Sequence, residues 1–217
     1  MTRRGGHDAG RGIHGHLIDG VLRAGADTTL AEVYAGVVRP ALGIEAYFGV
    51  PEHVLARAAD LEYADAEWPR RLPALPWMAP PAGAMDMGRM NSPEWRRAVF
   101  GAINLHTTAS AAAKFFADLT REDGPVRALL GPRLHGEFLR PQVTGHDDLF
   151  GTEVTWTPGF VRDHVKIAKG GLGGSAAWWS LRHHHACAYL TRRLDDHARA
   201  AEIAAALGDD LTVMPLR

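Results

Sequence analysis

The sequence predicts an α+β chain in which antiparallel strands pack against helices. Three observations carry that prediction. Apolar residues recur at helical spacing over much of 13–150. From 151 to 193 the repeat changes to strand-like alternation, and 194–207 closes the chain as a helix. Between two apolar strand-like runs, 165–168 and 186–191, lies Lys169-Gly170-Gly171-Leu172-Gly173-Gly174-Ser175. Its glycines remove side chains where something must approach the backbone closely.

The elements follow in order. Residues 1–12 are rich in Arg and Gly, without the apolar stretch of a signal peptide, and are expected to form a disordered leader. Ile13, Leu17 and Val21, with Ile18 and Leu22 beside them, space a first helix over 13–23. Thr29-Leu30-Ala31-Glu32 is a capping box for a second, whose apolar face is Leu30, Val33, Tyr34, Val37 and Val38 and which Pro40 should limit. Pro51 suits the first position of a third helix over 51–61. The Pro-, Ala-, Met- and Gly-dense stretch 69–88 has no period and reads as a long loop. Ser92-Pro93 restarts a helix, and 108–121 forms another with Ala112, Phe115, Phe116 and Leu119 on one face. Strands are expected over 152–157 and 160–168, then the glycine-rich hairpin, then a helix with Ala200, Ile203, Ala204 and Leu207 on one stripe.

Composition excludes several classes of function. The chain has 217 residues, 46% hydrophobic and 23% charged, which is ordinary for a folded protein with a real core. A net charge of -1 gives no electrostatic case for a nucleic-acid partner or an acidic membrane. No apolar run approaches the roughly 20 residues of a membrane span. Cys187 is the only cysteine, so no internal disulfide can form, and its apolar setting predicts a buried, inert thiol. A cytoplasmic location follows as the expectation.

Lys169-Gly170-Gly171 on a strand resembles the Lys-Thr-Gly or His-Gly-Gly element of the serine β-lactamase and penicillin-binding-protein superfamily. It is most similar to the class C-like branch of β-lactamases, esterases and transacylases. There a Gly-His-Gly-Gly-x-Gly-Gly-Ser strand is followed by a Trp-containing segment, a turn and a strand rich in Ala and aromatics. Residues 168–193 follow that plan, with Trp178 and Trp179 read as sheet packing. The opening also resembles the family, through Gly15-His16-Leu17 to Val21-Leu22-Arg23, Pro40-Ala41-Leu42-Gly43 and Gly49-Val50-Pro51-Glu52. Asn104-Leu105-His106-Thr107-Thr108 resembles the polar stretch that introduces the family's next helix. In such a fold the loop over 69–88 would be either a surface connection or a wall of the substrate cleft.

The resemblance implies a small acyl substrate, an ester or a β-lactam, and no cofactor or metal. It implies Lys169 as the strand cation, Gly170 and Gly171 as the strand's glycines, and the Leu172 N–H as an oxyanion donor. It also implies a Ser-x-x-Lys pair in which the amine takes the serine proton. That pair is absent. Ser92, Ser110, Ser175 and Ser180 are the only serines, and none has a lysine three residues later. Ser110 and Lys114 are four apart, share a helix face and stand in the wrong order for the family. The resemblance further implies a tyrosine ahead of Gly15 that helps shuttle that proton, and no tyrosine precedes Tyr34. The resemblance thus covers the C-terminal portion of the family's domain, with the N-terminal part missing. A fragment, an inactive remnant and a half completed by another polypeptide are all compatible with it. A sheet short of its first strands would expose an edge and promote self-association. A non-catalytic binding protein on a degenerate scaffold is the competing function.

Two further patterns carry less. Gly171-x-Gly173-x-x-Ala176 with the later Asp195 imitates a dinucleotide fingerprint, but too little chain follows for further strand–helix units. His183-His184-His185 could offer two metal ligands from one strand face, but it falls where a hairpin turn is expected and reads as a solvated turn.

Overall fold

The computed structural model describes residues 14–68, 83, 85–147 and 151–211. The expected leader and most of the expected loop over 69–88 lie outside them. The described residues fall into two units. One is built on the described residues up to Ala111 with Arg192–Leu194, and the other on those from Ala112 to Thr191 and from Asp195 onward.

In the first unit, α1 (His14–Ala26) carries as its second residue one that must be small. A Cβ on Gly15 would stand 2.3 Å from the backbone carbon of Gly101, so helix and loop meet backbone to backbone. The capping box forms: Thr29 accepts from the Glu32 N–H, and the Glu32 carboxylate accepts from the Thr29 N–H. It starts α2 (Leu30–Val33). Pro40 does not end this helix. A π-helical turn over Tyr34–Val38 intervenes, the Arg39 N–H reaches back to the Tyr34 carbonyl, and α3 (Arg39–Leu42) continues to Gly43 at φ 58. The wider turn lets the helix pass a residue that lacks an N–H.

β1 (Ala46–Tyr47), α4 (Glu52–Leu55) and β2 (Glu62–Tyr63) follow. The helix expected over 51–61 is one turn long, and Pro51 caps it at ψ 151 instead of opening it. Asp86 caps α5 (Met87–Met90), whose first two residues fall at the end of the expected loop over 69–88. Ser92 accepts from the Trp95 N–H and starts α6 (Pro93–Arg97), as expected. β3 (His106–Thr107) pairs antiparallel with β1. The polar stretch before it is structural. Buried Asn104 accepts from the Phe100 N–H and donates to the Trp95 and Ala98 carbonyls.

α7 (Ala109–Leu119) matches the expected helix. α8 (Pro125–Leu139) is bent at Gly131, whose φ 74 and ψ 160 break the spiral before Pro132. Buried His135 hydrogen-bonds the Leu119 carbonyl at 2.8 Å and ties α8 to the end of α7. Phe115, Phe116 and Phe138 surround Phe160.

The six-stranded antiparallel sheet runs in chain order: β4 (Val143–Asp147), β5 (Thr152–Trp156), β6 (Val161–Arg162), β7 (Lys166–Gly170), β8 (Ala176–Ser180) and β9 (His185–Tyr189). The single strand expected over 160–168 is two. Asp163 accepts from the Val165 and Lys166 N–H groups and turns the chain between them, and it pairs with the buried Lys166 ammonium at 2.6 Å. Trp178, fully buried, packs with Ala168 and Ala176 against Ala200, Ala204 and Leu211.

The closing helix is shorter than expected. Leu194 belongs to β10 (Arg193–Leu194), which pairs in parallel with β2. α9 spans Ala198–Ala206, so Leu207 falls on its C-cap and is exposed. Gly208, at φ 77, ends the helix: its N–H reaches the Ala205 carbonyl, and the Asp209 N–H reaches the Ala204 carbonyl.

That stop sets Asp209 under the sheet. One carboxylate oxygen accepts from Ser180 Oγ at 2.6 Å; the other accepts from Trp178 Nε1 at 2.8 Å and His185 Nε2 at 2.7 Å. His183 and His185 stack with centroids 6.0 Å apart, and His183 reaches the Gly208 carbonyl. The histidine run therefore closes onto the C-terminal turn. Among the described residues, no group of three or more His, Cys, Asp or Glu side chains is arranged to hold a metal ion.

Candidate functional site

Strands β7 and β8 pair from Lys166↔Ser180 to Gly170↔Ala176, and the glycine run turns between them. Paired residues share a sheet face. Ala168 and Trp178 face α9, so Lys169, paired with Ala177, faces the other way. Lys169 is exposed at the end of its strand, and Gly170 follows it, half-buried. Gly171 closes the hairpin, its N–H donating to the Ser175 carbonyl at 2.7 Å. The Gly171 carbonyl in turn accepts from the Gly174 N–H at 3.3 Å.

That second bond fixes one peptide plane. The Gly171 carbonyl and the Leu172 N–H belong to the same trans peptide and point in opposite directions. With the carbonyl drawn into the turn, the N–H is directed out of it. Among the described residues nothing accepts from the Leu172 N–H. The Leu172 side chain packs against Val154, as do Trp156 and Val161. The four residues the sequence singled out thus run from the end of β7 into the turn, with Lys169 on the strand and the Leu172 N–H in the turn.

The residues behind the turn escaped sequence reasoning. Asp195 donates its N–H to the Gly173 carbonyl at 3.2 Å. A Cβ on Gly174, at φ 91, would stand 2.2 Å from the Asp196 carbonyl oxygen. His197 is 7% exposed, and neither ring nitrogen has a hydrogen-bond partner. Burial holds its pKa below the usual imidazole value, while the Gly171 and Ser175 carbonyls and Asp196 act in the opposite sense. Nothing local marks Asp195-Asp196-His197 beyond a polar triplet ahead of an alanine-rich helix.

The remaining candidates lie elsewhere or are occupied. Lys114 pairs with Asp118 at 2.5 Å along α7. Ser175 Oγ accepts from the Thr191 N–H, and Ser180 Oγ donates to Asp209. Cys187 is half-buried, not buried, because β9 is the last strand of the sheet; burial raises its pKa, as suits an unreactive thiol. Trp179 is half-buried and meets His184 edge-on.

No protein-family model matches the chain, and no curated protein does. Solved structures do. A penicillin-binding protein homolog from Caulobacter crescentus is 23% identical with a TM-score of 0.64, over 85% of this chain and 52% of that one. A family VIII carboxylesterase is 20% identical with a TM-score of 0.65, again over 85% and 52%. EstA from Arthrobacter nitroguajacolicus Rue61a is 19% identical with a TM-score of 0.59, over 83% and 52%. The chain spans about half the length of each, and what these matches share with it is the fold. The chain carries a partial β-lactamase-like α+β fold, its antiparallel sheet packed by helices.

Proposed function

We infer that this chain is the acceptor-side portion of a serine acyl hydrolase or acyltransferase of β-lactamase and esterase lineage, inactive by itself. The observation that carries the reading is the outward, unpartnered Leu172 N–H, set three residues from the Lys169 cation. A backbone donor held in place before the reaction stabilises a developing oxyanion without reorganising at the moment of reaction. Gly170 and Gly171 leave room for the acyl group to approach. With a nucleophilic serine supplied, its oxygen would attack the acyl carbonyl, the leaving group would depart with a proton, and the Leu172 N–H would hold the oxyanion between. The substrate class is a small ester or β-lactam; no cofactor, nucleic acid or membrane enters the reading. The reading keeps a cytoplasmic location. Among the described residues no helix is long and apolar enough to cross a membrane.

The test is a titration with phenyl methylphosphonate, a stable tetrahedral anion, followed by the Leu172 amide resonance. The reading expects a saturable shift, weakened roughly two- to fivefold by Lys169→Met. An unmoved Leu172 amide rejects it.

A second reading, a non-catalytic binding protein, is favoured by the absent Ser-x-x-Lys. Turnover of a nitrophenyl ester by the purified chain would sink both readings, since the first also has the lone chain inactive. In either reading β9, an outer strand of the sheet among the described residues, would offer its edge to a second copy. A sharp thermal transition of a monomer at high concentration would count against that association.

A further inference from the structure

We propose that the outward face of α1 docks a polypeptide carrying the portion of the β-lactamase-like fold that this chain does not cover. The helix is amphipathic in the reverse sense. Gly15, Asp19 and Leu22 recur at i, i+4 and i+7 and so share one side. Gly15 is buried against the Gly101 backbone, the Asp19 carboxylate accepts from the Leu30 N–H at 2.7 Å, and Leu22 is half-buried. Leu17 and Val21, four residues apart on the other side, are 60% and 71% exposed. A glycine and a carboxylate thus point inward while the apolar stripe points out.

The loop on which α1 sits continues the pattern: Val99, Ile103 and Leu105, on either side of Gly101, are exposed as well. Single exposed apolar side chains are ordinary, but a helix stripe beside further apolar side chains marks a binding surface. The face suits another helix. Gly20 and Ala24 flank Leu17 and Val21, and nothing lies within 4 Å of the Gly20 Cβ position, so two knobs stand beside a shallow groove. α1 also needs a partner, because thirteen residues with three glycines and one buried position hold a helix poorly by themselves.

The occupant follows from length. Between 83% and 85% of this chain accounts for only 52% of each solved structure it matches. Nearly half of that fold lies outside the match, and packed layers cover one another's apolar faces. A second copy would bring only elements that this chain already has. A lipid surface calls for cations beside the stripe, whereas Arg23 is the one Arg or Lys of α1 and Asp19 holds it. The proposal rests on the reading of this chain as the acceptor-side portion of a larger fold, although docking itself does not need the Leu172 N–H.

The test co-expresses the full chain with a tagged polypeptide made of the part of the Caulobacter crescentus protein that the chain does not match. The proposal expects a one-to-one complex in which the α1 amides exchange about tenfold more slowly than in the free chain. Leu17→Asp with Val21→Asp should weaken the complex about tenfold, while Leu207→Asp, at an exposed side chain of the second unit, should not. Leu17→Gln with Val21→Gln repeats the test with good helix formers and no added charge. No complex, or a complex indifferent to both α1 variants, overturns the proposal. So does a dimer of the chain alone that the α1 variants dissolve, or α1-dependent adsorption to phosphatidylserine vesicles, which assign the face to a second copy or to lipid. A complex formed through α1 in which phenyl methylphosphonate leaves the Leu172 amide unmoved keeps the docking and rejects the acyl reading. A Leu172 shift in a chain that binds no partner does the reverse.

Discussion

The carbonyl oxygen of Asp196 lies 2.2 Å from the point where a Cβ on Gly174 would stand. The turn and the segment leading into α9 are therefore fitted backbone to backbone, and Gly174 also holds φ 91. Gly174→Ala should destabilise the chain by about 2–4 kcal/mol through clash and strain together. Gly136→Ala is the control: it lies exposed inside α8 with nothing near its Cβ position, and should stabilise by about 0.5–1 kcal/mol. Urea unfolding of both variants checks the pair. Equal effects would mean that the turn yields freely.

Asp209 gathers Ser180, Trp178 and His185 onto one carboxylate. Burial pushes its pKa up, but the three donors outweigh it and hold the group below its ordinary 3.8. A carboxylate depressed in the folded state adds stability above the unfolded pKa and loses it as pH falls through the folded value. Asp209→Asn should cost about 1–3 kcal/mol at pH 7, and the gap to wild type should shrink below about pH 4. Denaturant melts at pH 7 and pH 3 read both; a gap independent of pH would show that the carboxylate charge contributes nothing.

Ser92 holds the first turn of α6 through the Trp95 N–H. Ser92→Ala should cost about 1 kcal/mol, and Ser92→Asp should recover most of it. Thermal melts of the two variants suffice. A stability unchanged in Ser92→Ala would mean that Pro93 alone starts the helix.

What could be read from the sequence was local. Thr29 with Glu32, and Ser92 with Pro93, announce helix starts because the capping groups are sequence neighbours. The hairpin at Lys169–Ser175 is legible because few structures other than a tight turn use such a density of glycine. What could not be read depends on partners distant in sequence. β4 carries Gly145 and Asp147, poor strand formers, and pairs because β5 lies beside it. α8 has weak periodicity and a Gly131-Pro132 interruption, and is held by contacts such as that of His135 with Leu119. Pro40 misled because the helix widens to pass it. At the candidate site, Lys169 to Leu172 stood out from the sequence, but Asp195 and Asp196 reach the turn only through the fold. Asp209 likewise acquires its role only when the Gly208 stop delivers it beneath Trp178.

The central claim is that this chain holds the oxyanion side of an acyl-transfer site without the nucleophile. Mixing the purified chain with 4-nitrophenyl acetate, then weighing the intact protein and mapping its serines, tests it most directly. The account predicts no burst of nitrophenolate, no turnover above buffer, and Ser92, Ser110, Ser175 and Ser180 all unmodified. A stoichiometric burst with an acetyl group on one of those serines would contradict it.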